Sequence, residues 1–402
     1  MLPSFVRRAY RALALSLAIA VASFLVGGAA LAQSDPGHGV SRLVVADATS
    51  HVVSVFDPES RQRVASFATP GKIGNVYPSS TGRWVFVVHT DANRVTILDT
   101  GLRLEDHGDH QDAQAASPHV RGTVYPGQKP IDFWAGHGMA TVHNDDDGAV
   151  TVFDEHALEE SIAPRTIKGA GTGHNNAVVL EDMVLLSLAS EGTVTAYGLT
   201  DGTPRARFDG CPRTHGWTAP TPTFAAAGCL DGVLLFSKAG DEIGVRKLAE
   251  PDGSPENARV STIVSHRDNP VLIGNFGDGL ALITSDATVI RPIPLSAAPV
   301  KFAYARDGQR VVALTLDGKA HAVDPASGAV LWSADAVAAV DPTGAVPRPS
   351  LTVGETIACL SDPTRGTVVR LDVGSRASAG APIQVGGTPS LLTLITMEGV
   401  RH

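Results

Sequence analysis

Short apolar runs, each closed by an acidic residue or a glycine, recur along the chain in pairs. The run at 43–47 precedes an alternating run at 52–57, and 85–89 precedes 94–99; 140–143 and 149–154 repeat the arrangement. Further pairs stand at 184–186 with 192–195, 225–227 with 232–235, 271–273 with 279–282, 311–314 with 319–323, and 356–358 with 368–371. Each run has the length of a strand, and no stretch carries a sustained helical period. Eight hairpin units at a spacing of roughly 40 to 54 residues cannot bury their faces singly, so they must stack as the blades of an all-β propeller. Each pair reads as the second and third strands of a blade, followed by an outer strand and then by the next blade's inner strand. The first pair lacks an inner strand before it, while Pro389-Ser390-Leu391-Leu392-Thr393-Leu394-Ile395 lacks a pair after it. These N- and C-terminal strands should close one blade together, which leaves no free sheet edge and predicts eight blades, with seven as the alternative.

Residues 1–32 stand apart from this repeat. Arg7, Arg8 and Arg11 precede an apolar run, and Ala30-Leu31-Ala32 is a small-x-small cleavage site, so 1–32 reads as a signal peptide. The apolar part is short for a membrane span and no stop-transfer segment follows, so no membrane insertion is expected after cleavage. Residues 33–41 form a short flexible mature N-terminus and 42–399 a single propeller domain, exported to a bacterial periplasm. Cleavage takes three arginines from 32 basic residues and none of the 41 acidic ones, leaving 29 against 41, a net charge of −12. That balance argues against nucleic acid and favours cations.

The candidate chemistry is imidazole and carboxylate. Glu105-Asp106-His107-Gly108-Asp109-His110 is the densest such stretch, inside a long insertion at 102–120 between the third and outer strands of one blade. The repeat also assigns faces. His174 and His215 enter inner strands of consecutive blades at the top, where His89 and His143 end second strands. His137, in an inner-to-second turn, and the 102–120 insertion fall at the bottom. Nitrogen and oxygen ligands at close spacing suit Zn²⁺, and the three cysteines lack metal-type spacing. In an oxidising compartment Cys211 and Cys229, which flank one blade's inner and second strands, should form a disulfide that fixes the loop presenting His215. Cys359 lies in an apolar strand and should be a buried free thiol.

Several of these motifs occur together in one known family. The Gly101–His110 stretch after a strand, His137 before Val142, Gly173-His174, Cys211-Pro212-Arg213-Thr214-His215-Gly216 and Gly274-Asn275-Phe276-Gly277 resemble the AztD-type periplasmic zinc metallochaperones. The resemblance implies a monomeric, non-enzymatic protein that binds Zn²⁺ and passes it to the periplasmic zinc solute-binding protein of an ABC importer. It makes His107, His110, His137, His174 and His215 the candidate metal ligands. Asp106 and Asp109 become oxygen ligands or partners that hold an imidazole in place.

Two other classes remain open. Ala322–Trp332 resembles the tryptophan-docking repeat of quinone-cofactor propellers, although it occurs once, and sugar lactonases share the general architecture. A metal-free interaction propeller needs no special residues at all.

Overall fold

The computed structural model describes residues 39–401 apart from 170, 256 and 257; the expected signal peptide, 1–32, and residues 33–38 of the expected flexible N-terminus lie outside the described residues. The chain forms eight four-stranded antiparallel sheets, with one additional three-stranded sheet. Blade 1 is the closing blade, built from Pro389–Met397 inside and Val40–Asp47, Val52–Phe56 and Arg63–Ala68 outward. Blade 2 comprises Asn75–Pro78, Trp84–His89, Arg94–Asp99 and His119–Val124, and blade 3 Pro130–Gly136, Met139–Asn144, Ala149–Asp154 and Arg165–Lys168. Blades 4 and 5 start at Ala177 and His215, and blades 6, 7 and 8 at Ile263, Pro299 and Leu351. Among the described residues helix is confined to two short 3-10 turns, Thr90–Ala92 and Ala157–Glu159.

The alternation in each second strand explains the packing. Val85 and Val87 point to the core shared with blade 1, where they meet Val44, Ala46, Val53 and Val55. Trp84, Phe86 and Val88 point the other way and meet Ala140, Val142 and Phe153 of blade 3. Both faces of each blade's second strand are therefore covered by neighbours, which is why these strands read as continuous apolar runs and why one blade alone would leave a core open. Phe86 is fully buried, with Phe133 and Phe153 ring centroids at 5.0 and 5.4 Å.

Closure occurs as the unpaired segments require: Val40–Asp47 pairs antiparallel with Pro389–Met397, with Val40 opposite Met397 and Ala46 opposite Leu391. The first strand starts at Val40, and a further short strand, Val400–Arg401, follows the expected boundary at 399. The 102–120 insertion is not a loop. Leu102–Asp106 and His110–Ala115 form a hairpin, and Val400–Arg401 adds a third strand to it, with Arg401 opposite His110. Leu102 and Ala113 face inward and are buried, so the alternate residues Arg103, Glu105, His107, His110 and Asp112 share the outer face.

Candidate metal centres

The hairpin tip holds the first cluster. His107 N–H donates to the His110 carbonyl at 2.9 Å, and Gly108 takes φ +88° between them, as a two-residue hairpin turn with glycine first requires. The turn sets His107 and His110 side by side, ring centroids 5.1 Å apart. Asp112, two residues further along the strand, emerges on the same face. Its Oδ2 lies 3.7 Å from both His107 Nε2 and His110 Nε2. Asp109 Oδ1 sits 2.7 Å from His110 Nδ1. A carboxylate there holds the proton on Nδ1 and leaves Nε2 free as a ligand, the arrangement found behind metal-binding imidazoles. Asp106 does something different: its Oδ1 accepts the Gly108 N–H at 2.8 Å and shapes the turn. Three ligand atoms thus converge on an exposed element whose fourth direction is open to solvent.

The second cluster lies at the opposite end, where the connections into blades 4 and 5 meet the top of blade 3. His215 Nδ1 donates to the Ser261 carbonyl at 2.6 Å, because a carbonyl can only accept. Gly216, at φ +68°, permits that approach; a Cβ there would stand 2.5 Å from Ser261 O. His174 Nδ1 lies 3.2 Å from Asp132 Oδ2 and 3.5 Å from Asp145 Oδ2, so its proton also belongs on Nδ1. Both Nε2 atoms then carry lone pairs, and they face each other at 3.0 Å. Two unprotonated nitrogens at that distance repel unless a proton or cation lies between them. Nitrogen ligands of a tetrahedral zinc at about 2.0 to 2.1 Å stand about 3.3 Å apart, close to the separation seen.

The surroundings of this pair are short of partners. Asp132 Oδ2, both ring nitrogens of His143, Asp145 Oδ1 and Asn176 Oδ1 are buried without a hydrogen bond among the described residues. Asp132 and His174 are at ion-pair distance without the alignment of a hydrogen bond, and so are Asp145 Oδ1 and His143 Nδ1 at 3.4 Å. Burial pushes the Asp132 carboxyl up to about 6, with Asp145 raising it further and His174 opposing. Burial also holds His143 and His215 below the usual imidazole range. Such a set of undersatisfied polar groups fits a cation and is costly without one. A cavity of about 460 Å³ bounded by Lys129, Asp145, Asp146 and His174 opens onto it.

The expected disulfide is formed: Cys211 and Cys229 are bridged with Cα atoms 4.9 Å apart, anchoring the loop that delivers His215. Cys359 is a buried free thiol. His137 joins neither cluster. It sits in the inner-to-second turn of blade 3 at φ +55°, its Nε2 donating to the Ala219 carbonyl at 3.0 Å. His89 and His321 are likewise bonded within the fold, to Thr96 and the Lys72 carbonyl, and to Thr315 and Ser333. The residues that sequence reasoning missed are Asp112, Asp132 and Asp145. Asp112 and Asp145 each left a trace there, two positions after His110 and His143, and Asp145 reads from sequence as a turn residue.

No family model matches the chain. A protein named zinc chaperone AztD, from Citrobacter koseri, is 25% identical over 410 residues, which cover 96% of this chain and 94% of that one. A crystal structure of Citrobacter koseri AztD superposes with a TM-score of 0.83 at 23% identity, covering 91% of this chain and all of that one, and an apo structure gives 0.81 at 22%. Dihydro-heme d1 dehydrogenase NirN shares the fold at a TM-score of 0.60 and 12% identity, over 90% of this chain and 75% of that one.

Proposed function

We propose that this chain, an AztD-type β-propeller, is a zinc chaperone that loads Zn²⁺ on the His107, His110 and Asp112 tripod and hands it to the solute-binding protein of a zinc ABC importer. The chemistry is ligand exchange without any covalent change. Two imidazoles and a carboxylate are enough to hold the ion, and the open fourth direction lets an incoming partner histidine bind before a leaving ligand departs. Residues 1–32 direct the chain to the periplasm and are cleaved after Ala32. The name of the 25% identical relative supports this reading. The single observation that carries it is the convergence of three ligand atoms on one exposed hairpin, with Asp109 behind His110.

The top pair, His174 and His215, is a second zinc position, in which His174 is as exposed as the hairpin histidines but is backed by the buried Asp132 and Asp145. Its imidazoles are held from behind by Asp132, Asp145 and the Ser261 carbonyl, so less ordering is required when the ion arrives. The quinone-enzyme reading finds no support at its one motif: Trp332 is buried between blades 7 and 8 and its Nε1 donates to the Val373 carbonyl at 3.0 Å.

The test is the double substitution His107→Ala and His110→Ala. It should remove one zinc equivalent and abolish rapid delivery to an apo zinc solute-binding protein, while the melting temperature of the metal-free protein moves by only about 1 °C, because exposed hairpin ligands contribute little to the core. Unchanged stoichiometry and delivery would eliminate the hairpin.

A further inference from the structure

The root of the metal hairpin encloses a cationic cavity that the zinc chemistry does not use. It measures about 420 Å³ and lies where the hairpin leaves blade 2, against the connection that carries Glu159. Three arginines line it. Arg83 stacks on Trp84, its Cζ 4.4 Å from the ring, and donates to Asp99 at 2.8 and 3.1 Å and to Glu159 at 2.7 Å. Arg121 is fixed by bonds to the Leu158 and Glu159 carbonyls, at 3.0 and 2.9 Å. Arg103 is exposed and has no hydrogen bond or ion pair among the described residues, and exposed His119 also lines the space. Three guanidiniums against the carboxylates of Asp99 and Glu159 leave the cavity with an excess of one positive charge.

That excess is out of place on a protein with 41 acidic and 32 basic residues, and its position relative to the tip is fixed by the strand. Arg103, Glu105 and His107 alternate on the outer face, so four residues of strand separate the guanidinium from the tripod, about 13 Å. The tip itself is strongly acidic, carrying Glu105, Asp106, Asp109 and Asp112 within one turn. A protein that captures Zn²⁺ surrounds its own ligands with negative potential for the same electrostatic reason. Two acidic rims brought together would repel, and bound zinc cancels only part of that repulsion. A guanidinium fork beside the tip offsets the remainder and orients the arriving surface, since planar N–H donors match carboxylates in pairs.

We propose that the Arg83, Arg103 and Arg121 cavity is the docking pocket for an acidic segment of the zinc-accepting protein, which seats its carboxylates at the hairpin root while its metal ligands reach the tip. This rests on the reading of the hairpin as the transfer site. Zinc loading adds two positive charges to the tip, so the loaded protein docks more readily than the emptied one, and transfer itself weakens the complex.

The test uses the full mature chain, zinc-loaded, with an apo zinc solute-binding protein of an ABC importer as acceptor and EDTA as an acceptor that cannot dock. Arg103→Glu changes a side chain that makes no hydrogen bond among the described residues; Arg376→Glu, an equal charge change at an exposed residue of blade 8, is the control. At about 20 mM ionic strength Arg103→Glu should slow transfer to the protein acceptor about tenfold, and at about 0.5 M the difference should vanish. Arg376→Glu should behave as wild type, and EDTA should strip all three at one rate. Equal transfer rates for the two variants, or a slowing of Arg103→Glu that persists with EDTA, overturns the docking pocket. If the hairpin is not a transfer site at all, wild-type delivery itself would be no faster than zinc loss to EDTA, and the pocket falls with that reading.

Discussion

Neutralising Asp132 should stabilise the metal-free protein and weaken its hold on zinc, two effects of opposite sign from one substitution. The carboxyl lies at about 6 in the folded protein against an ordinary 3.8, through burial first and Asp145 second. Because the folded value is the higher one, its stabilising contribution is complete below about pH 3.8 and is lost as pH rises through about 6. Above that the ionised carboxylate costs about 3 kcal/mol. Asp132→Asn removes the charge but leaves an amide to be satisfied, which offsets about 1 to 2 kcal/mol. The metal-free variant should therefore gain about 1 to 2 kcal/mol at pH 7.5, a rise of roughly 1 to 3 °C in Tm for a chain of this size.

Zinc reverses the order. With ligand at 100 times Kd the wild type gains about 2.7 kcal/mol. Loss of the carboxylate behind His174 lowers affinity about 10- to 100-fold, which cancels about 1.3 to 2.3 kcal/mol of that gain. Thermal melts with and without zinc, in a background carrying His107→Ala and His110→Ala so that only the top pair reports, read both effects at once. At pH 4.5, where Asp132 is protonated in the folded protein, the gain should vanish and the metal-free variant should melt at or slightly below its parent. A metal-free Asp132→Asn protein that melts lower than its parent at pH 7.5, or an undiminished zinc increment, would refute the reasoning.

Three further outcomes follow from the same geometry. Thiol titration of the denatured, unreduced protein should find one free cysteine, and replacing Cys211 and Cys229 by serine should cost about 3 kcal/mol in stability while weakening zinc at His215. Zinc binding measured calorimetrically in buffers of different ionisation enthalpy should release more protons at pH 6 than at pH 7.5, and Asp132→Asn should lower the release at pH 6 by about half a proton, the one Asp132 carries there, while leaving the release at pH 7.5 unchanged. Excess chelator should remove zinc from the wild type in two phases, the faster one absent from the His107→Ala, His110→Ala protein; a single phase in the wild type would place both ions in equivalent surroundings.

The propeller was legible because each blade repeats its most apolar part. The second strand is covered on both faces, so Trp84–His89 and its counterparts read as continuous hydrophobic runs at a regular spacing. Ring closure was legible from an imbalance, an inner strand missing at one end and supernumerary at the other. The hairpin was not. Leu102, Leu104, Ala113 and Ala115 do alternate, but the charged residues between them and the histidines at the tip look like a solvated loop. The strand that completes the sheet arrives from Val400 and Arg401, a pairing no local pattern could announce.

The two candidate centres divide along the same line. His107, His110 and Asp112 are neighbours in sequence, so their convergence needs only a turn and a strand period, and the histidines announce it. The top centre is assembled from three places: Asp132 and Asp145 on blade 3, His174 before blade 4 and His215 at the start of blade 5. Its imidazoles were found because the repeat put both at the entry of an inner strand. Its carboxylates were not, because Asp132 sits among Ile131, Phe133 and Trp134 and reads as part of an apolar strand. The same difference separates the two centres physically. A site drawn from successive blades is fixed by the ring, by the Cys211–Cys229 bridge and by the Ser261 carbonyl, and it can hold an ion tightly. A candidate site on a hairpin projecting from the ring leaves its ligands on a single two-stranded arm, where a second protein can approach them from several sides.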